Sequence, residues 1–100
     1  MTLPVVYRRR VQSDLAAVFD WYEEHGSGLG EQFLSSVCST FKSIEDFPEM
    51  FAVVHGSVRR ATVVRFPFAV FYFVEASRIV ILRVLHTSRD PRIWPHARKK

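Results

Sequence analysis

From Val11 to Ile44 apolar residues recur every three to four positions, and from Phe51 onward they recur every second position. The first period predicts helices and the second predicts strands. Val11, Leu15, Val18, Phe19 and Tyr22 fall on one helical stripe, with Ser13 near its start and His25-Gly26 at its end. A second helix runs from about Leu29, carries Phe33, Val37, Phe41 and Ile44 on one stripe, and stops at Pro48. The connection, Gly26-Ser27-Gly28, is short enough to fold the two helices back on each other. Ahead of them Leu3 to Tyr7 reads as a short strand ended by three arginines.

Beyond Pro48 four strands follow, at Phe51 to Val54, Val58 to Arg65, Phe68 to Glu75 and Arg78 to His86. Their separators, His55-Gly56-Ser57, Phe66-Pro67 and Ala76-Ser77, are hairpin-length and predict an antiparallel meander. The expected fold is α+β, with order β-α-α-β-β-β-β. It is one domain over residues 1–100: an antiparallel twisted sheet with a helical hairpin on one face.

Alternation exposes a difficulty in that design. Strict period two puts Val80, Leu82 and Val84 on one side of the last strand and Ile79, Ile81, Arg83 and Leu85 on the other, so both sides are apolar. The preceding strand opposes Val70 and Tyr72 to Phe71 and Phe73. Two helices cover one face only. The other, with Phe71, Phe73, Ile81 and Arg83, is expected to be an exposed apolar and basic partner surface, with a self-covering curved sheet or a homodimer contact as alternatives. Arg83 suits such a surface, because its stem lies on apolar neighbours while its fork reaches phosphate or carboxylate.

Charge sharpens this picture. Residues 1–50 carry four basic and eight acidic side chains, and residues 51–100 carry ten basic and two acidic, so the second half holds the positive charge. That asymmetry suits nucleic acid or an acidic protein segment. The single cysteine, Cys38, excludes an intrachain disulfide, and no Cys/His spacing fits zinc. Neither a signal-peptide segment nor an eighteen-residue apolar run is present, so a cytoplasmic protein without membrane contact is expected.

Candidate chemistry is sparse. His86 closes the last strand, where an imidazole is both held and exposed, and it is the best proton-transfer group in the chain. Asp90 is placed to orient it, to pair with Arg89 or Arg92, or to cap the next turn. His25, His55 and His96 form no metal set, and no GxSxG, HExxH or phosphate-cradling loop occurs. No cofactor or metal is expected.

Several segments occur in a familiar order: Asp14-Leu15, Trp21-Tyr22, Gly30 with Phe33, Phe47-Pro48, Val58-Arg59-Arg60, Arg65 to Tyr72 (RFPFAVFY), Val84-Leu85-His86, then Arg89-Asp90-Pro91 and Trp94. Together the chain resembles the RelE/ParE superfamily of bacterial type II toxins over almost its whole length. The resemblance implies a toxin neutralised by a cognate antitoxin that wraps over it. It offers two activities: ribosome-dependent, metal-free cleavage of mRNA, or poisoning of DNA gyrase without chemistry. An inactive or repurposed binding module is the remaining alternative. For a ribonuclease, His86 would be the acid or base and Arg60, Arg65 and Arg83 the phosphate clamp. Thr87 after His86 and the ending Ala97-Arg98-Lys99-Lys100 lack the aromatic group expected of the ribonuclease branch. The ParE-like, plasmid-stabilisation branch is the closer match, with gyrase as expected target and Arg89 and Arg92 as contacts.

Overall fold

Glycine chemistry makes the turn between the helices α1 (Arg9–His25) and α2 (Leu29–Asp46). Gly28 sits at φ 87°, a left-handed conformation that other residues adopt at a cost. At Gly30 a Cβ would lie 2.7 Å from the Phe19 ring, so the helices approach as closely as they do because it has none. Glu23 of α1 completes the turn: its carboxylate accepts from the Gly30 N–H at 2.8 Å and the Gly28 N–H at 3.4 Å. A negative group thus satisfies the free amides at the positive end of α2.

The computed structural model describes residues 3–95, and His96 and the basic run Arg98 to Lys100 lie outside them. Strands β1 (Val5–Tyr7), β2 (Val53–His55), β3 (Val58–Thr62), β4 (Phe68–Val74) and β5 (Ile79–His86) form one sheet in the order β1-β5-β4-β3-β2, followed by a 3-10 turn at Pro91–Ile93. The meander is antiparallel as expected. β1 departs from the expectation of a wholly antiparallel sheet, because it pairs in parallel with β5, Val5 opposite Ile79. No hairpin turn connects those two strands, so no turn chemistry in the sequence dictates their direction. β3 also stops early: Thr62 is its last residue, and the loop to β4 holds Arg65 at φ 75°.

A β-bulge in β5 is the second correction. Phe71 opposes Arg83, but Tyr72 opposes Ile81, which leaves Leu82 as an extra residue. Alternation therefore changes phase in mid-strand. Ile79, Ile81 and Val84 join the core under the helices with Val70 and Tyr72, whereas Val80, Leu82 and Leu85 join Phe71 and Phe73 on the opposite side. Strict period two had placed Val84 with Leu82, and Leu85 with Ile81.

Neither sheet face is open. Phe33, Val37 and Ile44 of α2 and Val11 of α1 close the first. On the second, where an exposed partner surface was expected, every clustered residue is 9% exposed or less, and among the described residues Trp94 and Val54 pack against it. The Trp94 ring lies 5.2 Å from that of Phe71. Among the described residues no helix is long and apolar enough to cross a membrane.

Candidate functional site

Ala17, Val18, Trp21 and Tyr22 occupy one side of α1, because positions four apart return to the same face. Opposite them β4 begins at Phe68 and β5 ends at His86, and register pairs these two residues. Their rings meet edge to face, 5.1 Å apart. With Arg89 from the following turn, these side chains line a cleft of about 320 Å³. Trp21, 54% exposed, stacks on His25 with ring centres 3.8 Å apart. Among the described residues no carboxylate lines the cleft.

His86 is oriented locally, by Ser88 and not by Asp90. The Ser88 N–H donates to its Nδ1 at 3.0 Å, and Ser88 Oγ lies 2.7 Å from the same atom. A backbone amide only donates, so Nδ1 is an acceptor and the neutral ring carries its proton on Nε2. Asp90 instead accepts from the Arg92 N–H at 2.9 Å and pairs with its guanidinium at 2.7 Å. Those bonds hold the Asp90 carboxyl below the usual carboxylate range.

The arginines grouped by the sequence are dispersed. Arg83 forms a two-pronged ion pair with Asp14, Nε to Oδ2 at 2.8 Å and Nη2 to Oδ1 at 2.9 Å. Asp14 Oδ2 also accepts from the Val84 N–H at 3.0 Å. β1 is registered with β5 only as far as Tyr7 opposite Ile81, and Asp14 answers the β5 amide beyond it. Arg83 is thus committed within the fold, which corrects its expected place on an open basic surface; the bond to Asp14 raises its pKa further. Arg60 of β3, paired with Phe71 of β4, turns to the second face, its guanidinium carbon 5.4 Å from the centre of the Trp94 ring. Among the described residues, Arg60 Nε and Trp94 Nε1 are buried without a hydrogen-bond partner. Arg65 is exposed in the β3–β4 loop. Arg92 is exposed and bonded to Asp90, while Arg89 has no ion pair among the described residues.

Of the residues expected to meet a partner, Phe71 is 1% exposed and Ile81 is fully buried, on the helix side. Phe73 lies on the second face. Sequence reasoning missed the cleft-lining role of Trp21, the cover provided by Trp94 and the pairing of Asp14. Only the placement of Trp21 four residues after Ala17 on α1 was a usable signal. Among the described residues no group of three His, Cys, Asp or Glu side chains is placed to hold a metal ion.

The family model described as the ParE toxin of the type II toxin–antitoxin system parDE matches residues 5–91. The chain belongs to the ParE toxin family. Among solved structures it is similar to a chain of the chromosomal ParDE toxin–antitoxin system from P. aeruginosa, with 23% identity, a TM-score of 0.75, and coverage of 84% of this chain and 95% of that one. A copper-bound mutant toxin from Helicobacter pylori shares 18% identity with a TM-score of 0.55, covering 86% and 96% respectively. These likenesses support the fold of this ParE-family toxin. No curated protein sequence matches it.

Proposed function

We propose that this type II toxin acts by binding DNA gyrase, not by cutting RNA, and that a cognate antitoxin neutralises it by covering exposed apolar surface. One observation carries the choice of mechanism. Metal-free RNA cleavage needs a proton-transfer group and phosphate-holding cations around one scissile bond. Here His86 lines a cleft against α1, Arg60 lies on the opposite sheet face against Trp94, Arg83 is held by Asp14, and Arg65 sits in a loop. For the antitoxin, Phe47, Met50, Val53 and Val64 remain exposed near the β2 side of the sheet. Large apolar side chains left in water there suit a protein partner.

The experiment is purified toxin assayed in parallel for inhibition of gyrase supercoiling and for ribosome-dependent mRNA cleavage. Supercoiling is expected to fail while mRNA stays intact, and added antitoxin is expected to restore supercoiling. His86→Ala should change inhibition by no more than about tenfold, the scale of one lost hydrogen bond. Loss of a general acid or base would instead reduce cleavage about 10²–10⁴-fold. Wild-type mRNA cleavage that vanishes in His86→Ala would overturn the proposal.

A further inference from the structure

The cleft beside His86 combines an apolar lining with hydrogen-bond donors and, among the described residues, no carboxylate. Its volume, about 320 Å³, is at the lower end of the range for ligand pockets and has room for one large side chain. Trp21 is the kind of half-exposed aromatic that dominates binding energy once a partner removes it from water. The charges are one-sided. Arg89 is exposed and without an ion pair among the described residues, and with Nδ1 engaged by Ser88 the remaining ring nitrogen of His86 is a donor.

We propose that this cleft is a docking site for a protein segment that inserts one aromatic or branched apolar side chain and sets a neighbouring carboxylate against Arg89 and the His86 Nε2–H. It rests on the reading that the toxin works by binding protein, and it specifies the chemistry of the contact. A carboxylate is the occupant because Arg89, the His86 Nε2–H and the Trp21 indole N–H are all donors, the Tyr22 hydroxyl can also donate, and among the described residues no lining side chain carries negative charge. A nucleic-acid strand fits less well. Phosphate backbones are held by rows of cations, whereas here, among the described residues, Arg89 is the one arginine that borders an apolar hollow.

The test is an NMR titration of the ¹⁵N-labelled toxin with the capped tripeptide acetyl-Glu-Phe-Glu-amide. Controls are acetyl-Gln-Phe-Gln-amide, acetyl-Glu-Ala-Glu-amide and hexathymidylate. Saturable shifts are expected at the amides of Ala17, Trp21, Phe68 and Arg89, with binding about tenfold weaker when either the carboxylates or the ring is missing. Arg89→Glu should weaken binding by about tenfold or more, and Ala17→Phe, which fills the cleft, should abolish it. Both positions are exposed, so spectra unchanged elsewhere will show that the fold is kept. Absence of saturable shifts at these residues, an equal response to either control peptide, or tighter binding of hexathymidylate at the same amides would overturn the proposal. Supercoiling assays on the same preparations separate this result from the choice of target, since peptide binding is read without gyrase.

Discussion

On one face of the sheet, Phe33, Val37 and Ile44 of α2 and Val11 of α1 meet Val70, Tyr72, Ile81 and Val84; on the other, Phe71, Val80 and Leu85 are met by Trp94 and Val54 among the described residues. The first cover is periodic, and each helical turn adds another apolar side chain. The second depends on one indole at the end of an irregular segment, packed on Phe71 and Arg60. The polar accounts differ too. At the edge of the helix-covered side, Asp14 satisfies Arg83 and the Val84 N–H together, while on the Trp94 side two buried donors, Arg60 Nε and Trp94 Nε1, have no partner among the described residues. An unpaired buried donor costs about 1–3 kcal/mol, so the second cover is held less firmly than its area suggests.

Substitutions can break each cover separately. Phe33→Ala, at a fully buried site ringed by Tyr22, Phe66 and Phe68, is expected to cost about 3–5 kcal/mol in chemical denaturation. A loss below about 1 kcal/mol would mean that the helix-side core is looser than the packing indicates. Asp14→Ala leaves the Arg83 charge and the Val84 amide without a partner. Because the pair is 20% and 11% exposed, we expect about 2–4 kcal/mol, somewhat below the loss for a fully buried pair. Retained stability would show that water replaces the carboxylate.

Trp94→Ala is expected to cost less, about 1–2 kcal/mol, because the indole is half-buried and its removal also deletes an unpaired donor. Hydrogen exchange should rise in β3 and β4 around Arg60 and Phe71 and not at Phe33. Equal loss of protection on both faces would erase the distinction between the two covers.

The smallest effect is a pH dependence. Burial pushes the Tyr72 hydroxyl up to about 12, with Arg59 opposing, and the hydroxyl donates to the Pro48 carbonyl at 2.6 Å. The folded state therefore holds this proton more tightly than the unfolded chain. Its contribution to stability is complete below the ordinary tyrosine value of 10.0 and is lost as pH rises from there through about 12. Tyr72→Phe should cost about 1 kcal/mol at neutral pH and flatten that alkaline decline. A variant whose stability falls as steeply as the wild type above pH 10.0 would assign the decline to other groups.

Element order was legible because periodicity reports repeated burial. Helix stripes such as Phe33, Val37 and Ile44 went where period 3.6 put them, and Val70 and Tyr72 were opposed to Phe71 and Phe73 as period two requires. What escaped were single events. The bulge at Leu82 changes phase once and leaves no repeat, and the direction of β1 is set by a partner far along the chain. Arg83 looked like an open-face cation because its carboxylate is 69 residues away. His86 stood out only as an imidazole at a strand end, and its setting depends on α1 packing across Phe68, a juxtaposition that no local pattern encodes.

The parallel pairing of β1 with β5 also sets an order of events during synthesis. β1, α1 and α2 leave the ribosome first, yet β1 has no strand partner and Asp14 no cation until β5 has emerged. Until then the apolar stripe of α2 has only an incomplete sheet to pack on, and completing it requires long-range contacts, which form slowly. The growing chain therefore carries an unfinished sheet, with β1 unpaired, until β5 has emerged.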